Sequence, residues 1–422
     1  MESPPVLLFF NNFPPSNKNG GTVLIRRLLD GYPREKLIAL TSTLSTVGPI
    51  NPPWCRVHVE FPSVQDWGSR AIWRLKGLVN RLKGLVNWLM LPVVAFYATR
   101  MMRRYSVQAI ASVSAGTFFL AAAMAARWMN VPWVLIVHDD WVPIVSNAVP
   151  GPRWFFDFLF RAAVRRADHI LVVSVGMQEK LRVEYGVESE VQMPATEPWD
   201  LTPPASAEGQ RDVLKILYSG NGWAAMDSLN LLVRIVREQT LRRQGLPDLE
   251  LHMYAPWNLD PDPGIKQHGW VSEKELRRQI AAAEILFLPY SFENEFQAFT
   301  RTSFPAKAAD YLASGRAILV IGPRDSTTAR YVNQYHCAEL VTELSEDGLV
   351  RALTRLASGE EYRRGLGLKA QQAFALNHDI VRQQERFFEL LNHLVNEKAN
   401  RGTPAAQTNM RQGKPHQSIP PA

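Results

Sequence analysis

Short apolar segments alternate with amphipathic segments along most of this chain, and this alternation limits the folds that it can adopt. Strand-like runs at residues 6–10, 133–138 and 285–289 are each followed by a segment with helical periodicity. Short apolar strands that alternate with helices are typical of a parallel sheet with helices on both faces. The sequence therefore predicts an α/β fold of the doubly wound kind.

The alternation stops once, in a polar stretch rich in proline at residues 194–211, and then starts again. Because 422 residues exceed one ordinary core, we predict two doubly wound, Rossmann-like domains, over residues 1–195 and 212–376. A helix over 377–397 is predicted to cross back to the first domain, and the polar residues 398–422 are predicted to be disordered. Open α/β sheets bind ligands at the carboxyl ends of their strands, so we expect the chemistry in the cleft between the domains.

The segment SFPAKAADYLASG at residues 303–315 gives the strongest indication of function. It lies between two apolar runs and is predicted to be a loop and a helix, with Ser303 as the cap and Pro305 in the first turn. Free N–H groups at such a helix start favour a bound phosphate, Lys307 would add a positive charge, and Asp310 would accept bonds from hydroxyl groups. The alternative is an ordinary amphipathic helix on which Lys307 and Asp310 are merely solvated.

Two glycine turns follow the predicted first strands of the two domains. Gly20 and Gly21 open a helix, where the lack of side chains lets the backbone approach a ligand. Gly220, Asn221 and Gly222 belong to a G-x-G-x-x-A pattern, which is similar to the dinucleotide-binding fingerprint. That fingerprint needs an acidic residue after the next strand, where this chain has Tyr-Ala-Pro. A glycine turn that faces a phosphate is therefore predicted, and hydride transfer is not.

His138, Asp139 and Asp140 directly follow a predicted strand. A histidine and acidic side chains at the carboxyl end of a strand are suited to acceptor binding or proton transfer, and Asp139 is the preferred acid. The alternative is a structural histidine. The sequence has neither a metal-ligand spacing of His, Asp and Glu nor a P-loop, so no metal and no cofactor are predicted.

Positive charge is concentrated in one segment. Residues 70–104 contain eight basic and no acidic side chains, whereas the net charge of the whole chain is +7. The heptad RLKGLVN occurs twice, at 74–80 and 81–87, and its leucines fall on one helical stripe. A helix over 71–91 could lie on an anionic membrane surface; the alternative is a helix that packs its leucines on its own domain. Charges interrupt it too often for it to span a bilayer, and no nucleic-acid-binding motif accompanies them, so no nucleic acid is predicted as a partner.

Taken in order, the early glycine pair, the HDDW sequence and the late FPAKAADYLASG segment resemble the family 4-type (group 1) glycosyltransferases of the GT-B fold. The resemblance covers about residues 5–395. It implies a nucleotide-diphosphate sugar held mainly by the second domain and an acceptor held by the first. It also implies retention at the anomeric carbon and no obligatory metal.

The family motif places two acidic residues eight positions apart around the donor. Asp310 matches the second, which is expected to bind the ribose, and Thr302 occupies the position of the first, which usually contacts the sugar. Ser303 and Phe304, which follow Thr302, are counted with them as donor-binding residues. The family's basic pair after the first strand of the second domain is missing here. Lys307 is expected to replace it at the leaving diphosphate, with Arg301 as a second candidate cation.

The predicted function is transfer of a sugar from a nucleotide sugar to a glycan or lipid-linked glycan, in cell-surface polysaccharide biosynthesis. The predicted catalytic residues are His138, Asp139 and Lys307. Two cysteines without a disulfide pattern, and an N-terminus without a signal peptide, predict a cytoplasmic enzyme at the inner face of the membrane. The alternatives are a non-catalytic glycosyltransferase-like binding protein, suggested by Thr302, and a nucleotide-sugar isomerase of the same fold.

Overall fold

A computed structural model describes residues 3–16, 20–42, 54–61, 76–148, 151–199 and 213–401. Residues 76–85, 87 and 244 are described by their backbone only. Parts of three sequence predictions lie outside this description. They are the basic helix, most of the linker and the tail. Of the helix, residues 71–75 and the side chains of the tandem-heptad leucines are outside the description, as are residues 200–212 and 402–422.

The first domain contains a parallel sheet of seven strands within the described ranges, in the order β3-β2-β1-β4-β5-β6-β7. The strands are β1 Leu7–Phe10, β2 Leu37–Ser42, β3 Val57–Phe61, β4 Ala109–Val113, β5 Trp133–Val137, β6 His169–Val172 and β7 Glu190–Val191. The helices of this half are α1 Gly20–Asp30, α2 Lys76–Tyr105, α3 Phe118–Met129, α4 Trp141–Ala148, α5 Arg153–Val164 and α6 Val175–Lys180.

The second domain repeats this plan with six parallel strands between residues 213 and 401, in the order β10-β9-β8-β11-β12-β13. They are β8 Val213–Ser219, β9 Asp248–Tyr254, β10 Ile265–Gln267, β11 Ile285–Pro289, β12 Ala317–Ile321 and β13 Glu339–Val341. The helices are α7 Met226–Arg237, α8 Glu273–Ala282, α9 Gln297–Thr302, α10 Ala306–Ala313, α11 Thr327–Tyr335, α12 Glu346–Ser358, α13 Glu360–Asn377 and α14 Ile380–Arg401.

Burial on both faces explains why the strands read as continuous apolar runs. Every residue of β5, β11 and β12 is buried, because helices cover each sheet on two sides. The predicted α/β fold with two doubly wound domains is confirmed. The short elements β7 and α9 were not predicted, because two and six residues are too few for a periodic pattern. Helix α4 was not predicted either.

Helix α14 returns from the second domain to the first. Phe387, Leu391 and Leu394 are buried in the same core cluster as Leu7 and Phe9 of β1. The helix continues to Arg401, four residues beyond the predicted end at 397. The ammonium of Lys398 lies 2.8 Å from a carboxylate oxygen of Asp168 in the first domain, so this last turn is held by an ion pair.

Candidate functional site

A glycine turn follows β8 in the second domain. Gly220 and Gly222 have φ angles of 146° and 79°, a region that glycine enters without steric cost. The N–H of Gly222 donates a hydrogen bond of 3.0 Å to the hydroxyl of Tyr218, and the side chain of Asn221 accepts one of 3.1 Å from the N–H of Trp223. The predicted glycine turn is therefore a fixed structure at the carboxyl end of a central strand.

Lys307 reaches this turn from α10. Its ammonium donates a 2.7 Å hydrogen bond to the carbonyl of Ser219 and lies 4.3 Å from the ring centre of Tyr218. A Cβ atom added to Gly220 would lie only 2.9 Å from that ammonium. Desolvation lowers the pKa of Lys307 to about 7. The structure thus brings together the lysine and the glycine turn that the sequence singled out separately.

The start of α10 differs from the prediction in one respect. The helix begins at Ala306, Pro305 occupies the N-cap position, and no side chain caps it. The prediction that Ser303 caps this helix is wrong, because its hydroxyl donates a 3.3 Å hydrogen bond to Asp139 of the first domain. The first turn of α10 is left with N–H groups that no capping side chain satisfies, which favours a bound anion.

The start of α1 meets the start of α10 across the cleft. Gly20 is the first residue of α1, and Gly21 follows it. A Cβ atom added to Gly20 would lie 3.2 Å from the Cβ of Ala306, the first residue of α10. Two helix N-termini therefore converge, and each carries a partial positive charge from its peptide dipoles. This arrangement can bind a group with several negative charges.

Asp139 faces this region from the first domain. It follows β5, and its carboxylate accepts the bond from Ser303. Desolvation raises its pKa, the bond from Ser303 acts in the opposite direction, and the charge of Asp140 raises the pKa further. Asp140 itself pairs with Lys180 at 3.1 Å. The structure therefore places Asp139, and not Asp140, against Ser303 of the second domain.

His138 lies in a different environment from its neighbour Asp139. Together with Leu24, Ile25 and Leu28 of α1, it lines a cavity of about 20 Å³ that α14 closes. Desolvation lowers the pKa of His138 to about 4, so its imidazole is neutral at pH 7. The structure brings Asp139 to the segment before α10 and places His138 beside the apolar face of α1.

Three residues near the start of α10 do not have the predicted surroundings. The hydroxyl of Thr302 donates a 2.8 Å hydrogen bond to the carbonyl of Ala298 within α9. The ring of Phe304 is buried, with its centre 5.1 Å from that of Tyr331. The expected donor contact through these two side chains is therefore not supported by their geometry. Arg301, which the sequence suggests as a second cation for the diphosphate, instead pairs with Asp325 at 2.6 Å.

Sequence reasoning missed Arg27, which holds the two domains together. One nitrogen of its guanidinium lies 3.1 Å from each carboxylate oxygen of Asp310 and 2.9 Å from Glu273. Another donates a 3.1 Å hydrogen bond to the carbonyl of Ala195. The Arg27 side chain is only 8% exposed. The available signal was an arginine next to Leu28 on the apolar stripe of α1. The predicted ribose ligand Asp310 is thus engaged by an arginine of the other domain.

A second close approach of the domains involves α6 and α9. The hydroxyl of Ser174 donates a 2.5 Å hydrogen bond to the carbonyl of Thr302. A Cβ atom added to Gly176 would lie 1.9 Å from the carbonyl oxygen of Arg301, so only glycine fits there without movement. This contact holds the loop before α10 against the first domain.

Two further features of the described ranges concern the predicted metal independence and membrane partner. No group of three or more His, Cys, Asp or Glu side chains in these ranges is arranged to hold a metal ion. No helix in the same ranges is both long enough and apolar enough to cross a membrane. Independence from metal ions stays a prediction.

Known proteins were compared with this chain. Residues 23–194 match the family described as the glycosyl transferase 4-like domain. Sucrose-phosphate synthase from Thermosynechococcus elongatus is 14% identical with a TM-score of 0.66, over 93% of this chain and 100% of that chain. HepE from Anabaena, solved in complex with UDP, is 11% identical with a TM-score of 0.64, over 92% and 99%. No curated protein sequence matches this chain.

A third similar structure is an α,α-trehalose-phosphate synthase (UDP-forming) from Burkholderia xenovorans, in complex with glucose-6-phosphate. It is 10% identical with a TM-score of 0.64, over 92% of this chain and 100% of that chain. At such identities the structures show the fold alone, and this fold is GT-B. The chain therefore has the GT-B fold, and its residues 23–194 match the glycosyl transferase 4-like domain, in agreement with the resemblance that its sequence shows.

Proposed function

We propose that this glycosyltransferase moves a sugar from a nucleoside-diphosphate sugar to a glycan or lipid-linked glycan, in cell-surface polysaccharide biosynthesis. UDP is the first candidate nucleotide, because HepE was solved with UDP and with UDP-glucose. Retention at the anomeric carbon and independence from divalent metals follow from the family resemblance and are part of the proposal.

One observation carries the donor side of the proposal. The starts of α1 and α10 meet at Gly20 and Ala306, and Lys307 lies in the first turn of α10. Breaking a sugar–phosphate bond builds negative charge on the leaving diphosphate. Preorganised N–H groups, helix dipoles and an ammonium group stabilise such charge most where water is excluded. We assign the diphosphate to this position.

Lys307 is suited to this role because its charge responds to the ligand. With a pKa of about 7, a large share of the Lys307 side chains is neutral in the free protein at physiological pH. A diphosphate beside the ammonium raises this pKa, so the ligand itself favours the charged form. The positive charge then develops where the leaving group needs it.

The acceptor side of the proposal rests on Asp139. Its carboxylate lies at the carboxyl end of β5 and contacts Ser303 directly before α10, so it borders the proposed donor site from the first domain. We propose that it hydrogen-bonds the acceptor hydroxyl in place of Ser303. We also retain His138 as a catalytic candidate, since a neutral imidazole can both donate and accept a hydrogen bond.

The lipid-linked acceptor and the position at the inner face of the membrane are proposed from the sequence of residues 71–91. The tandem heptads there combine leucines with basic side chains and contain no acidic residue. From this segment we also propose an anionic membrane surface as a binding partner.

Thermal unfolding in the presence of nucleotides tests the donor proposal. UDP at one hundred times its Kd is expected to stabilise the folded protein by about 2.7 kcal/mol, whereas the free sugar alone gives no shift. ADP and GDP in parallel samples identify the base. A protein that no nucleoside diphosphate stabilises would contradict the proposal, and a shift that disappears with EDTA would contradict only the independence from metals.

A further inference from the structure

We propose that an exposed apolar surface on α2 and α5 is the site at which the protein docks on an anionic lipid bilayer. We call this surface, defined by Leu89, Val93, Phe96, Trp154 and Phe158, the α2/α5 face. The proposal deepens the function proposed above, on which it rests for its lipid-linked acceptor. It assigns the contact to side chains that the tandem heptads do not include.

The α2 part of the face is a stripe of exposed apolar side chains. Leu89 is 67% exposed, Phe96 is 57% exposed, and Val93 between them is half exposed. Their spacing of four and three residues places them on one side of the helix. Residues 86–99 contain no charged side chain, so this stripe has no charge for more than three turns. Contiguous exposed apolar surface of this kind marks an interaction site.

The opposite side of α2 is already packed on its own domain. Val94, Ala95, Ala98 and Met102 are buried in the core of the first domain. The helix is therefore held in place by its buried side, and the exposed stripe is the side that remains. The alternative that the tandem-heptad leucines pack on their own domain concerns side chains outside the described residues.

Helix α5 extends the stripe into a broader surface. The ring centre of Trp88 lies 6.0 Å from that of Phe155, which lies 6.0 Å from that of Trp154. This row of rings joins α2 to α5. Trp154 is 71% exposed and Phe158, one turn further along, is 61% exposed. Both helices thus carry exposed apolar side chains, and the row of rings from Trp88 to Trp154 connects the helices.

The charge around the face indicates a lipid occupant. Residues 67–138, which include α2, contain nine basic and no acidic side chains. In α5, the acidic Asp157 lies 3.4 Å from Arg161. Arg100, Arg103 and Arg104 are exposed where the apolar stripe ends. Basic side chains beside an apolar surface bind anionic headgroups, and tryptophan and tyrosine are favoured at the membrane interface. A second copy of the chain would place this basic region against itself, which electrostatic repulsion disfavours.

Vesicle flotation of the full chain tests the proposal. The probes are vesicles of phosphatidylcholine alone and vesicles that also contain phosphatidylglycerol. We expect the protein to float with the anionic vesicles and the double variant Phe96→Ser with Trp154→Ser to bind them at least about tenfold more weakly. The matched control is Leu368→Ser with Trp270→Ser, two similarly exposed apolar residues of the second domain, which is expected to float like the wild type.

Variants that each remove one arginine measure how much the anionic headgroups contribute to vesicle binding, apart from the apolar contact. Arg103→Gln and Arg104→Gln are each expected to weaken binding to the anionic vesicles about fivefold, with a much smaller effect on neutral vesicles. High salt should reduce the binding of the wild type in the same direction. Equal binding of wild type and arginine variants to both vesicle types would contradict the proposed headgroup contact.

Three outcomes would overturn the proposal. They are a wild type that floats with neither vesicle, an apolar double variant that floats as well as the wild type, and a concentration-dependent dimer that Trp154→Ser abolishes in analytical ultracentrifugation. Stabilisation of each variant by UDP verifies its fold. If UDP binding persists while flotation fails, only the α2/α5 face is wrong. If flotation persists while no nucleotide binds, only the proposed function is wrong.

Discussion

Among the contacts between the two domains, the one at Arg27 and the one between Asp139 and Ser303 differ greatly in strength. Arg27 is buried and bonds Asp310, Glu273 and the carbonyl of Ala195 at 2.9–3.1 Å. Asp139 and Ser303 share a single bond of 3.3 Å. Breaking a buried charge pair costs several kcal/mol, whereas one ordinary hydrogen bond contributes about 1 kcal/mol. The comparison suggests a firm tether at Arg27 and a weak contact, which a ligand can replace, at the proposed reaction site.

The tether also affects the role expected for Asp310. A ribose that binds this carboxylate must share it with Arg27 or displace one of its bonds. Because Glu273 and Ala195 hold the same guanidinium, Arg27 can release one oxygen of Asp310 without losing all its partners. The predicted ribose contact is therefore compatible with the tether only if part of it rearranges.

Replacing Arg27 removes the stronger of the two contacts and is expected to have the largest effect on the free energy of unfolding. Arg27→Met leaves the carboxylates of Asp310 and Glu273 without their main partner, so we expect the free energy of unfolding to fall by about 3–5 kcal/mol. The measurement is urea denaturation. Arg301→Met, which removes an exposed pair with Asp325, is the control and is expected to cost about 1 kcal/mol or less. Equal losses in the two variants would contradict the tether.

Replacing Lys307 tests the chemistry proposed near the weaker contact, between Asp139 and Ser303. Lys307→Met removes the ammonium beside the proposed diphosphate, so we expect turnover to fall about 10²–10³-fold, which is about 2.7–4 kcal/mol in the barrier. The free energy of unfolding should stay the same or increase, because a desolvated charge disappears. Steady-state kinetics and urea denaturation measure the two effects. Lys266→Met, a partly exposed lysine of the same domain, is the control; unchanged turnover in Lys307→Met would rule out the assignment.

The pH dependence of nucleotide binding sharpens this assignment. Lys307 has a pKa of about 7 in the free protein, and the bound diphosphate raises it. Binding therefore takes up a proton above pH 7, and the Kd for UDP is expected to increase with pH, by at most about tenfold per unit. Calorimetric titration at several pH values above 7 measures this slope. In Lys307→Met the slope should be absent, and a slope that persists in this variant would implicate a different group.

Removing the hydroxyl of Ser303 should have the smallest effect. Ser303→Ala deletes the single 3.3 Å bond to Asp139, so we expect the free energy of unfolding to change by about 1 kcal/mol or less. Ser174→Ala is the comparison, because its hydroxyl both donates to Thr302 and caps α6, and we expect it to cost more. Urea denaturation of both variants decides the order, and a larger loss for Ser303→Ala would show that this contact is not the weak one.

Local sequence patterns predicted the parts of the site that belong to one domain. The Gly220 turn and Lys307 converge because β8 and β11 are neighbours in a parallel sheet, whose strands all end at the same edge. The sequence predicts Pro305 within the first turn of this helix. In the structure α10 begins at the next residue, Ala306, and Pro305 is the N-cap.

Contacts between the domains could not be predicted in this way. Ser303 has the side chain of a helix cap, yet its partner Asp139 is 164 residues away. Arg27 and Asp310 are 283 residues apart, and no periodic pattern relates them. The surroundings of Phe304 depended on Tyr331 and His378, which only the folded second domain brings to it.

The sequence by itself determined the two parallel sheets, the glycine turn and the cationic helix start, because hydrophobic periodicity and backbone preferences act over a few residues. Tertiary structure alone decided which carboxylate lies near the start of α10, which arginine joins the domains and which apolar side chains stay exposed. These depend on how two separately folded surfaces meet, and side chains far apart in the chain compete for the same partners there.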